Sequence, residues 1–239
     1  MHKEACRIHI VGYKGIVGSA TYELFRRLGY GVTGSDKGEV VARADIYFVC
    51  VPEDAVEEVV QGLANPSDLI VIRSSVIPGT CRRLMNLCED WHICHNPEFL
   101  REAVAIQDEF SPDRIVIGQC CPEHGGLLKV LYEPLRRPIV LTDPTTSELV
   151  KLASNVHLSC LISYWNTIEE IARRVGISGH EVGMIASLDP RISPYGSRLH
   201  HKFSGRCLPK DTRQLISLSQ SLGYDPVLLR AVEEVNNSL

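Results

Sequence analysis

The stretch RIHIVGYKGIVG, residues 7–18, decides the fold class of this chain. Residues 7–11 are mostly apolar and predict a short buried strand. Gly12, Gly15 and Gly18 follow at once, and glycines let a backbone approach a pyrophosphate closely. A helix that begins in this turn would add unpaired N-terminal amides for the charge of the phosphates. The stretch therefore predicts the strand, turn and helix of a dinucleotide-binding site.

The residues after the turn extend the same plan. A helical pattern ends at Gly29, residues 31–35 form a predicted second strand, and Asp36 closes it. A carboxylate here accepts hydrogen bonds from the adenosine ribose and repels a 2′-phosphate, so we predict NAD rather than NADP. The usual fingerprint has one residue between its first two glycines, whereas this turn has two, and a tight turn without a ligand is the alternative. The predicted cofactor-binding residues in this region are Gly12, Gly15, Ile16, Val17, Gly18 and Asp36.

Strand and helix patterns alternate from residue 46 to residue 141. This alternation predicts an α/β fold with a Rossmann-like doubly wound parallel sheet. Only nine residues separate Asp36 from the next strand, so the dinucleotide domain is expected to be shortened. Gly12, Ser75 and Glu98 each follow the end of a predicted strand, and they should face one crevice. The further predicted strands span residues 46–51, 69–73, 92–95, 114–118 and 138–141.

After residue 144 the strand patterns end and helical patterns take over. A long helix is predicted from about residue 147 to residue 175, and Lys151 and Asn155 share one of its faces because they lie four residues apart. A solvated stripe is the alternative interpretation of that pair. We predict two domains, a shortened NAD-binding Rossmann-like domain at residues 1–144 and an all-helical central domain at residues 145–239. Shorter helices are predicted from Ser178, Asp211 and about Asp225.

The stretch SGRCLPKDT, residues 204–212, follows a loop rich in proline, glycine and arginine. It places a thiol, an ammonium and a carboxylate within five positions, at Cys207, Lys210 and Asp211. If Asp211 and Thr212 cap a helix, the helix dipole and the neighbouring cation both favour the thiolate of the cysteine. A thiolate can add to a carbonyl and form a covalent intermediate. The alternative is a surface turn with a small buried cysteine.

Composition excludes several classes of protein. With 239 residues, 44% hydrophobic and 23% charged, the chain has the balance of a globular protein. A net charge of -4 makes nucleic acid an unsuitable partner, and no apolar run approaches the roughly 20 residues of a membrane span. The first five residues show no signal peptide. Nine scattered cysteines, an odd number, fit reduced thiols, so a cytoplasmic location is expected.

A metal site was weighed at His92, Cys94 and His95. Strand geometry would send Cys94 and His95 to opposite faces of the sheet. No second ligand pair with the spacing of a zinc site lies nearby in the sequence, although Cys120 and Cys121 are adjacent to each other. We therefore predict no metal site.

Several strings along nearly the whole sequence repeat, in order, those of one known family. Asn96-Pro97-Glu98-Phe99-Leu100 and Cys207-Leu208-Pro209-Lys210-Asp211 are the most specific of them. With these strings and the glycine turn, nearly the whole chain resembles the UDP-glucose/GDP-mannose dehydrogenase family. The other matching landmarks are Ser74-Ser75-Val76, Pro112-Asp113-Arg114, the helix with Lys151 and Asn155, and Asp189-Pro190-Arg191-Ile192.

This resemblance implies NAD-dependent oxidation of the C6 alcohol of a nucleotide sugar to a carboxylate, with two NAD molecules used in succession. Cys207 would attack the aldehyde to give a thiohemiacetal, and loss of hydride would give a thioester that water hydrolyses. Lys151 and Asn155 match residues that stabilise the oxyanion. Asp211 matches a residue that positions water and handles protons, and Glu98 and Ser75 match residues that hold a water near the reacting carbon. The resemblance also implies Lys210 as a cofactor-binding residue and Phe99, Leu100, Glu102 and Phe203 as substrate-binding residues.

The resemblance further implies a homodimer formed through the long central helix. Members of the family usually continue into a second α/β domain that binds the nucleotide of the substrate, and we expect this chain to lack it. The loop before Cys207 reads KFSGR, residues 202–206, where the family has a glycine-rich string. A non-catalytic NAD- or nucleotide-binding module, or a subunit that needs a partner for substrate binding, is therefore the alternative function. A dehydrogenase that uses Lys151 and Asn155 without a covalent cysteine is a third.

Overall fold

The computed structural model describes residues 6–63, 69–87, 90–198 and 201–239. The chain divides into two compact units, Met1–Lys151 and Leu152–Leu239. The domain boundary predicted between residues 144 and 145 stays a prediction. The expectation for the first five residues lies outside the described residues, as do positions 199 and 200 of the predicted loop.

The N-terminal unit is built on a sheet that has seven strands within the described residues, in the order β2-β1-β3-β4-β5-β6-β7. Neighbouring strands run parallel, except that β5 and β6 are antiparallel and pair through His95 and Gly118. The predicted Rossmann-like α/β fold is confirmed, with a mostly parallel sheet. The strands are β1 (Arg7–Val11), β2 (Gly31–Ser35), β3 (Ile46–Val49), β4 (Leu69–Ile72), β5 (His92–His95), β6 (Ile115–Gly118) and β7 (Ile139–Thr142).

The predicted shortening of the dinucleotide domain stays a prediction, and the strand order is compatible with it. β3 lies beside β1 on the side opposite β2, and the chain enters it directly after residues 36–45, which contain no helix. The strand order therefore reverses between β1 and β3. In open parallel sheets, ligands bind beyond the carboxyl ends of the strands at such a reversal. The glycine turn lies at that position, because it follows Val11 at the end of β1.

The helices agree with most of the helical patterns in the sequence. Ser178 caps α7, since its side chain accepts a hydrogen bond from the Glu181 amide, as predicted. α4 was not predicted, because its apolar side chains show no clear period over so few residues. The helices are α1 (Ile16–Arg27), α2 (Val56–Leu63), α3 (Thr80–Met85), α4 (Ala105–Phe110), α5 (Pro122–Tyr132), α6 (Pro144–Arg174), α7 (Gly179–Ala186), α8 (Cys207–Ser221) and α9 (Val227–Ser238).

The predicted start of α8 at Asp211 is wrong. The helix begins four residues earlier, at Cys207, and Arg206 is its N-cap residue. Pro209 is compatible with this start because the first turn of a helix has no intrahelical use for a proline N–H. Asp211 is consequently not a cap but a buried side chain inside the helix, and Thr212 donates to the Leu208 carbonyl. Cys207 itself lies in the first helical turn, and its thiolate stays a prediction.

Two hydrophobic clusters cover the two faces of the sheet. Phe48 and Val49 are neighbours on β3 yet belong to different clusters, because successive side chains of a strand point to opposite faces. The first cluster includes Phe25 and Tyr132, and the second includes Leu84. In the helical unit the described core cluster is smaller and consists of Ile162, Phe203 and Val232. No helix in the part of the chain that is described is both long and apolar enough for a bilayer.

Candidate active site

The glycine turn after β1 is packed so closely that side chains are excluded. Gly12 has a φ of 83°, in the left-handed region that favours glycine, and a Cβ there would lie 2.5 Å from the Cys50 carbonyl oxygen. A Cβ on Gly18 would lie 2.1 Å from the Gly12 carbonyl oxygen. Gly15 is the N-cap residue of α1, and Ile16 is exposed at the first helical position. The start of α1 is therefore accessible to an anionic ligand.

Asp36 lies next to this turn. The Gly12 amide donates a 2.8 Å hydrogen bond to the carbonyl oxygen of Ser35, which immediately precedes the aspartate. One Asp36 carboxylate oxygen accepts a 2.7 Å hydrogen bond from the Lys37 amide, which fixes the orientation of the carboxylate. Asp36 and the glycine turn thus lie at the same end of adjacent parallel strands, where a dinucleotide would bind.

A buried ion pair joins two of the predicted catalytic residues of the N-terminal unit. The Lys151 ammonium lies 2.9 Å from the Glu98 carboxylate and donates a 2.6 Å hydrogen bond to the Glu98 carbonyl oxygen. Only 3% of the lysine side chain is exposed. The second carboxylate oxygen of Glu98 accepts from the Leu100 amide at 2.7 Å, so both oxygens are held. Half-buried Ser75 follows β4, and Glu98 follows β5. The carboxyl ends of these two parallel strands lie at the same edge of the sheet.

A cavity of about 450 Å³ opens beside Glu98. Phe99 and Leu100, two predicted substrate-binding residues, line it together with Arg73 and Arg114. The Arg114 guanidinium carbon lies 3.9 Å from the centre of the Phe99 ring, a cation–π contact. The cavity therefore offers an aromatic face and charges of both signs, because its lining also contains Glu98, Asp108 and Glu109. Glu102 is exposed and lines a second, more open groove, and Ile16 lines the same groove.

A buried network that the sequence analysis did not identify supports the loop that carries Glu98. Arg73 donates to Glu109 and, at the same 2.8 Å, to Asn96 and the Tyr132 hydroxyl. Burial lowers the pKa of Arg73, but Glu109, Tyr132 and other neighbouring groups together outweigh burial and raise the arginine pKa. The Asn96 amide in turn donates to the Val116 carbonyl oxygen. The available signal was a single arginine at the end of the apolar string LIVIR, residues 69–73.

The helical unit brings three predicted site residues together around one carboxylate. Asp211 is fully buried, and the Asn155 amide donates a 2.6 Å hydrogen bond to one of its oxygens. The Lys210 ammonium lies 2.8 Å from the other oxygen. Cys207 is exposed and precedes Asp211 by four residues on α8, so the two side chains share a helix face. A thiol, an ammonium and a carboxylate thus lie within the first turns of one helix.

Phe203 is buried, whereas a residue that contacts substrate needs an accessible side chain. Its side chain is 4% exposed and packs against Ile162 and Val232 in the core of the helical unit. Its backbone is held by Asn236, whose side chain accepts from the Phe203 amide at 2.7 Å and donates to its carbonyl oxygen at 3.2 Å. These bonds anchor the loop that leads to α8. The role of Phe203 in substrate binding stays a prediction.

Two family models match the chain. Residues 32–136 match "UDP-glucose/GDP-mannose dehydrogenase family, NAD binding domain". Residues 145–238 match "UDP-glucose/GDP-mannose dehydrogenase family, central domain". The first match identifies NAD as the cofactor, in agreement with the sequence prediction.

Known proteins and structures agree with these matches. A GDP-mannose 6-dehydrogenase of Pseudomonas syringae pv. tomato is 32% identical over 85% of this chain and 53% of its own length. A UDP-glucose 6-dehydrogenase of Rickettsia conorii is 33% identical over 86% of this chain and 48% of its own length. The structure of a UDP-glucose dehydrogenase from Pyrobaculum islandicum superposes with a TM-score of 0.90 at 26% identity, covering 99% of this chain and 69% of that one. The chain spans about half the length of the curated relatives it matches. It belongs to the UDP-glucose/GDP-mannose dehydrogenase family.

Proposed function

We propose that this chain takes part in NAD-dependent oxidation of the C6 alcohol of a nucleotide sugar to a carboxylate. The observation that carries the proposal is the pairing of predicted catalytic side chains inside each unit. Glu98 pairs with Lys151 in the N-terminal unit, and Asn155 pairs with Asp211 in the helical unit. A buried ammonium and a buried carboxylate cost free energy unless they are paired, and active sites are where such groups concentrate.

The proposed mechanism gives each residue one task. The Cys207 thiolate adds to the C6 aldehyde, and the resulting thiohemiacetal loses hydride to become a thioester. Lys151 and Asn155 donate hydrogen bonds to the oxyanion formed at that carbon, which lowers the barrier because the donors are already in place. Water held by Glu98 and Ser75 hydrolyses the thioester, and Asp211 takes up the proton that the water releases. NAD, when bound, accepts a hydride in each of the two oxidation steps.

Binding of the two ligands is proposed at different parts of the N-terminal unit. Gly12, Gly15 and Gly18, with Ile16, Val17 and Asp36, would hold the cofactor, and Lys210 is a further proposed cofactor-binding residue. Phe99 and Leu100 would contact the sugar nucleotide, and Arg114, which lines the same cavity, would contact its diphosphate. Glu102 and Phe203 complete the proposed substrate contacts. The relatives named for UDP-glucose and for GDP-mannose make nucleoside diphosphate sugars the substrate class.

The test is NADH formation by the purified chain with NAD and either UDP-glucose or GDP-mannose. We expect two NADH per sugar and a carboxylate product. The Cys207→Ser variant should lose the carboxylate product because no thioester forms, whereas the matched Cys160→Ser variant should keep it. NAD binding without NADH formation from any nucleoside diphosphate sugar would contradict the proposal.

A second candidate is a binding module that retains NAD or nucleotide affinity without catalysis. The loop before Cys207 favours it, because residues 202–206 carry Lys202, Phe203 and Arg206 where the family has a glycine-rich string. Side chains there restrict how closely a backbone can approach a sugar. Under this candidate, Cys207→Ser leaves ligand affinity unchanged and the chain needs a partner for substrate binding. Calorimetric titration with NAD and with the sugar nucleotide separates the two functions.

For assembly we propose a cytoplasmic homodimer formed through α6. Tyr164 and Ile171 on this helix are each 54% exposed, which is more apolar surface than a solvated helix needs. A homodimer would cover these side chains, and the scattered cysteines suit a reducing compartment. Sedimentation should give twice 26.6 kDa at micromolar concentration, and Tyr164→Glu with Ile171→Glu should give a monomer. A wild-type chain that sediments at 26.6 kDa would contradict this assembly.

A further inference from the structure

A cluster of thiols and imidazoles lies in the N-terminal unit, outside the proposed active site. The Cys120 sulfur is 3.5 Å from the His124 Nδ1 atom, and the Cys121 sulfur is 3.1 Å from the same nitrogen. The rings of His92 and His124 have centroids 4.5 Å apart. One donor atom each from His92, Cys120 and His124 can be chosen so that all lie within 4.8 Å of one another. The Cys94 sulfur lies 3.6 Å from that of Cys120.

The fold explains why residues so far apart in sequence meet here. His92 and Cys94 point to the same face of β5, because alternate residues of a strand share a face. Cys120 and Cys121 follow β6, the neighbour of β5. Cys121 is the N-cap residue of α5, and His124 comes three residues later, at the spacing that brings an N-cap side chain and the third helical residue together.

The distances suit a tetrahedral metal ion. Zinc binds sulfur at about 2.3 Å and nitrogen at about 2.0 Å, so tetrahedral ligands stand roughly 3.5 Å apart for a sulfur and a nitrogen and roughly 3.8 Å apart for two sulfurs. The Cys120 and His124 donor atoms, at 3.5 Å, already have that separation. The Cys121 and His124 donor atoms, at 3.1 Å, need to separate by a few tenths of an ångström.

We propose that this cluster is a structural zinc site with His92, Cys120 and His124 as ligands, and with Cys121 as the fourth ligand once its sulfur shifts toward the metal. Two thiolates and two imidazoles form a donor set that suits Zn²⁺, and four protein ligands make a closed site that leaves no open position for substrate. Cys94 is a positioning residue. It is fully buried in the core, and its sulfur accepts a 3.4 Å hydrogen bond from the Cys120 amide, so it orients the ligand loop.

The position of the cluster gives the metal a structural task. β5 and β6 pair through one residue pair in the described part of the sheet, His95 with Gly118. A metal held by His92 on one side and by Cys120, Cys121 and His124 on the other would cross-link these two strands. His92 opens β5, whereas Glu98 lies beyond its other end, so the metal is distinct from the proposed catalytic residues.

Two features hide this cluster in the sequence. The neighbours Cys94 and His95 point to opposite faces, since Cys94 contacts Cys120 and His95 contacts Ser147. The residue that shares a face with Cys94 is His92. The second group of ligands lies 26 residues further along the chain than Cys94, so spacing alone does not connect them.

The test uses the full chain, purified under reductant, stripped with a chelator and titrated with Zn²⁺. We expect about one zinc per chain by elemental analysis and, with Co²⁺ as a probe, the charge-transfer absorption of cobalt thiolates. The melting temperature should rise by about 5 to 10 °C when zinc reaches one hundred times its Kd. Binding that stays below about 0.2 zinc per chain would overturn the proposal.

Variants make the assignment specific. Cys120→Ser and His124→Ala should abolish stoichiometric binding, and His157→Ala and Cys160→Ser, which change a histidine and a cysteine of the helical unit, should keep it. If Cys120→Ser or His124→Ala fails to fold by circular dichroism, the half-buried His92→Gln variant gives the decisive titration. Zinc binding that survives His92→Gln unchanged, or a cobalt spectrum without thiolate absorption, would overturn the proposed ligand set.

Discussion

The two units of the chain differ in how completely each buries its own apolar side chains. In the described residues, the clusters on the two faces of the N-terminal sheet contain sixteen and nine buried hydrophobic residues, whereas the helical unit has a cluster of three. The helical unit leaves large apolar side chains exposed, among them Tyr164, Ile171, Leu188 and Leu228. Burial of apolar surface is the main favourable term in folding. We therefore expect the N-terminal unit to be stable by itself and the helical unit to gain stability from further contacts.

Each unit contains one of the two tryptophans of the sequence, which allows the comparison to be measured. Trp91 packs against the second cluster of the N-terminal unit, and buried Trp165 donates to the Ser193 carbonyl oxygen in the helical unit. In a Trp165→Phe background the fluorescence reports the N-terminal unit, and in a Trp91→Phe background it reports the helical unit. Separate urea transitions would support the difference, and one shared transition would contradict it.

The largest effect is expected from Glu109→Ala in the N-terminal unit. The variant leaves the Arg73 guanidinium, 3% exposed, without its opposite charge, and removal of one partner of a buried pair costs about 3–5 kcal/mol. The midpoint of the Trp91 urea transition should fall accordingly, while that of Trp165 stays the same. A loss below about 1 kcal/mol would show that the pair is solvated.

A smaller effect is expected from pH, again in the N-terminal unit. His95 is buried, and burial lowers its pKa to about 3, with the charges of Lys151 and Arg73 adding to the shift. Unfolded histidine has a pKa of about 6.5, so below that pH the unfolded state binds a proton that the folded state excludes. Stability should therefore fall by about 2 kcal/mol from pH 6.5 to pH 5, as the Trp91 transition would show.

Buried His9, whose pKa burial also lowers, contributes in the same direction. His95→Gln should reduce the slope of stability against pH, because one of the excluded protons is then absent from both states. The exposed His157 provides the control, and its replacement by Gln should leave the slope unchanged. An unchanged slope for His95→Gln would contradict the buried neutral histidine.

In the helical unit a moderate effect is expected from Asn236→Ala. The variant removes both hydrogen bonds to the buried backbone of Phe203, and such a loss costs about 1 to 2 kcal/mol. The Trp165 transition should shift, and exposed Asn237→Ala should leave it unchanged. An equal effect of the two variants would show that the loop before α8 is not anchored by this side chain.

The smallest effect is expected from Glu170→Ala on the surface of α6. Arg173 and Arg174, the partners of this carboxylate, are 69% and 73% exposed. Exposed ion pairs contribute little because water and salt screen them. The Trp165 transition should not move beyond experimental error. A clear loss of stability would mean that this face of α6 is covered in solution, which would favour the proposed homodimer.

Features that depend on local sequence could be predicted, and features that depend on distant neighbours could not. The glycine turn, β1 and the capping of α7 by Ser178 follow from residues within one turn or strand of each other. Glu98 and Lys151 lie 53 residues apart in sequence, so no local pattern predicts that they pair. Only the resemblance to a family suggested that both residues belong to one active site. The Arg73 network and the link between His92 and residues 120–124 join distant parts of the chain, and no family string predicts them, so they were missed.

The start of α8 shows the limit of local rules. Asp211 and Thr212 are good N-cap residues, and a sequence reading placed them there. In the structure Asp211 is fully buried between Asn155 and Lys210, so its tertiary contacts decide its position rather than its capping preference. A polar side chain that could cap a helix can instead be a site residue inside it.

The antiparallel junction of β5 and β6 has a consequence for local opening of the sheet. With one residue pair across this seam in the described chain, β6 and β7 can detach as a group while the five strands around the glycine turn remain paired. Backbone amides of Ile115–Gly118 should then exchange their hydrogens with solvent sooner than those of Leu69–Ile72 in the middle of the sheet. In the metal-free chain this junction is thus the place where the unit would first open, with its dinucleotide turn still in place.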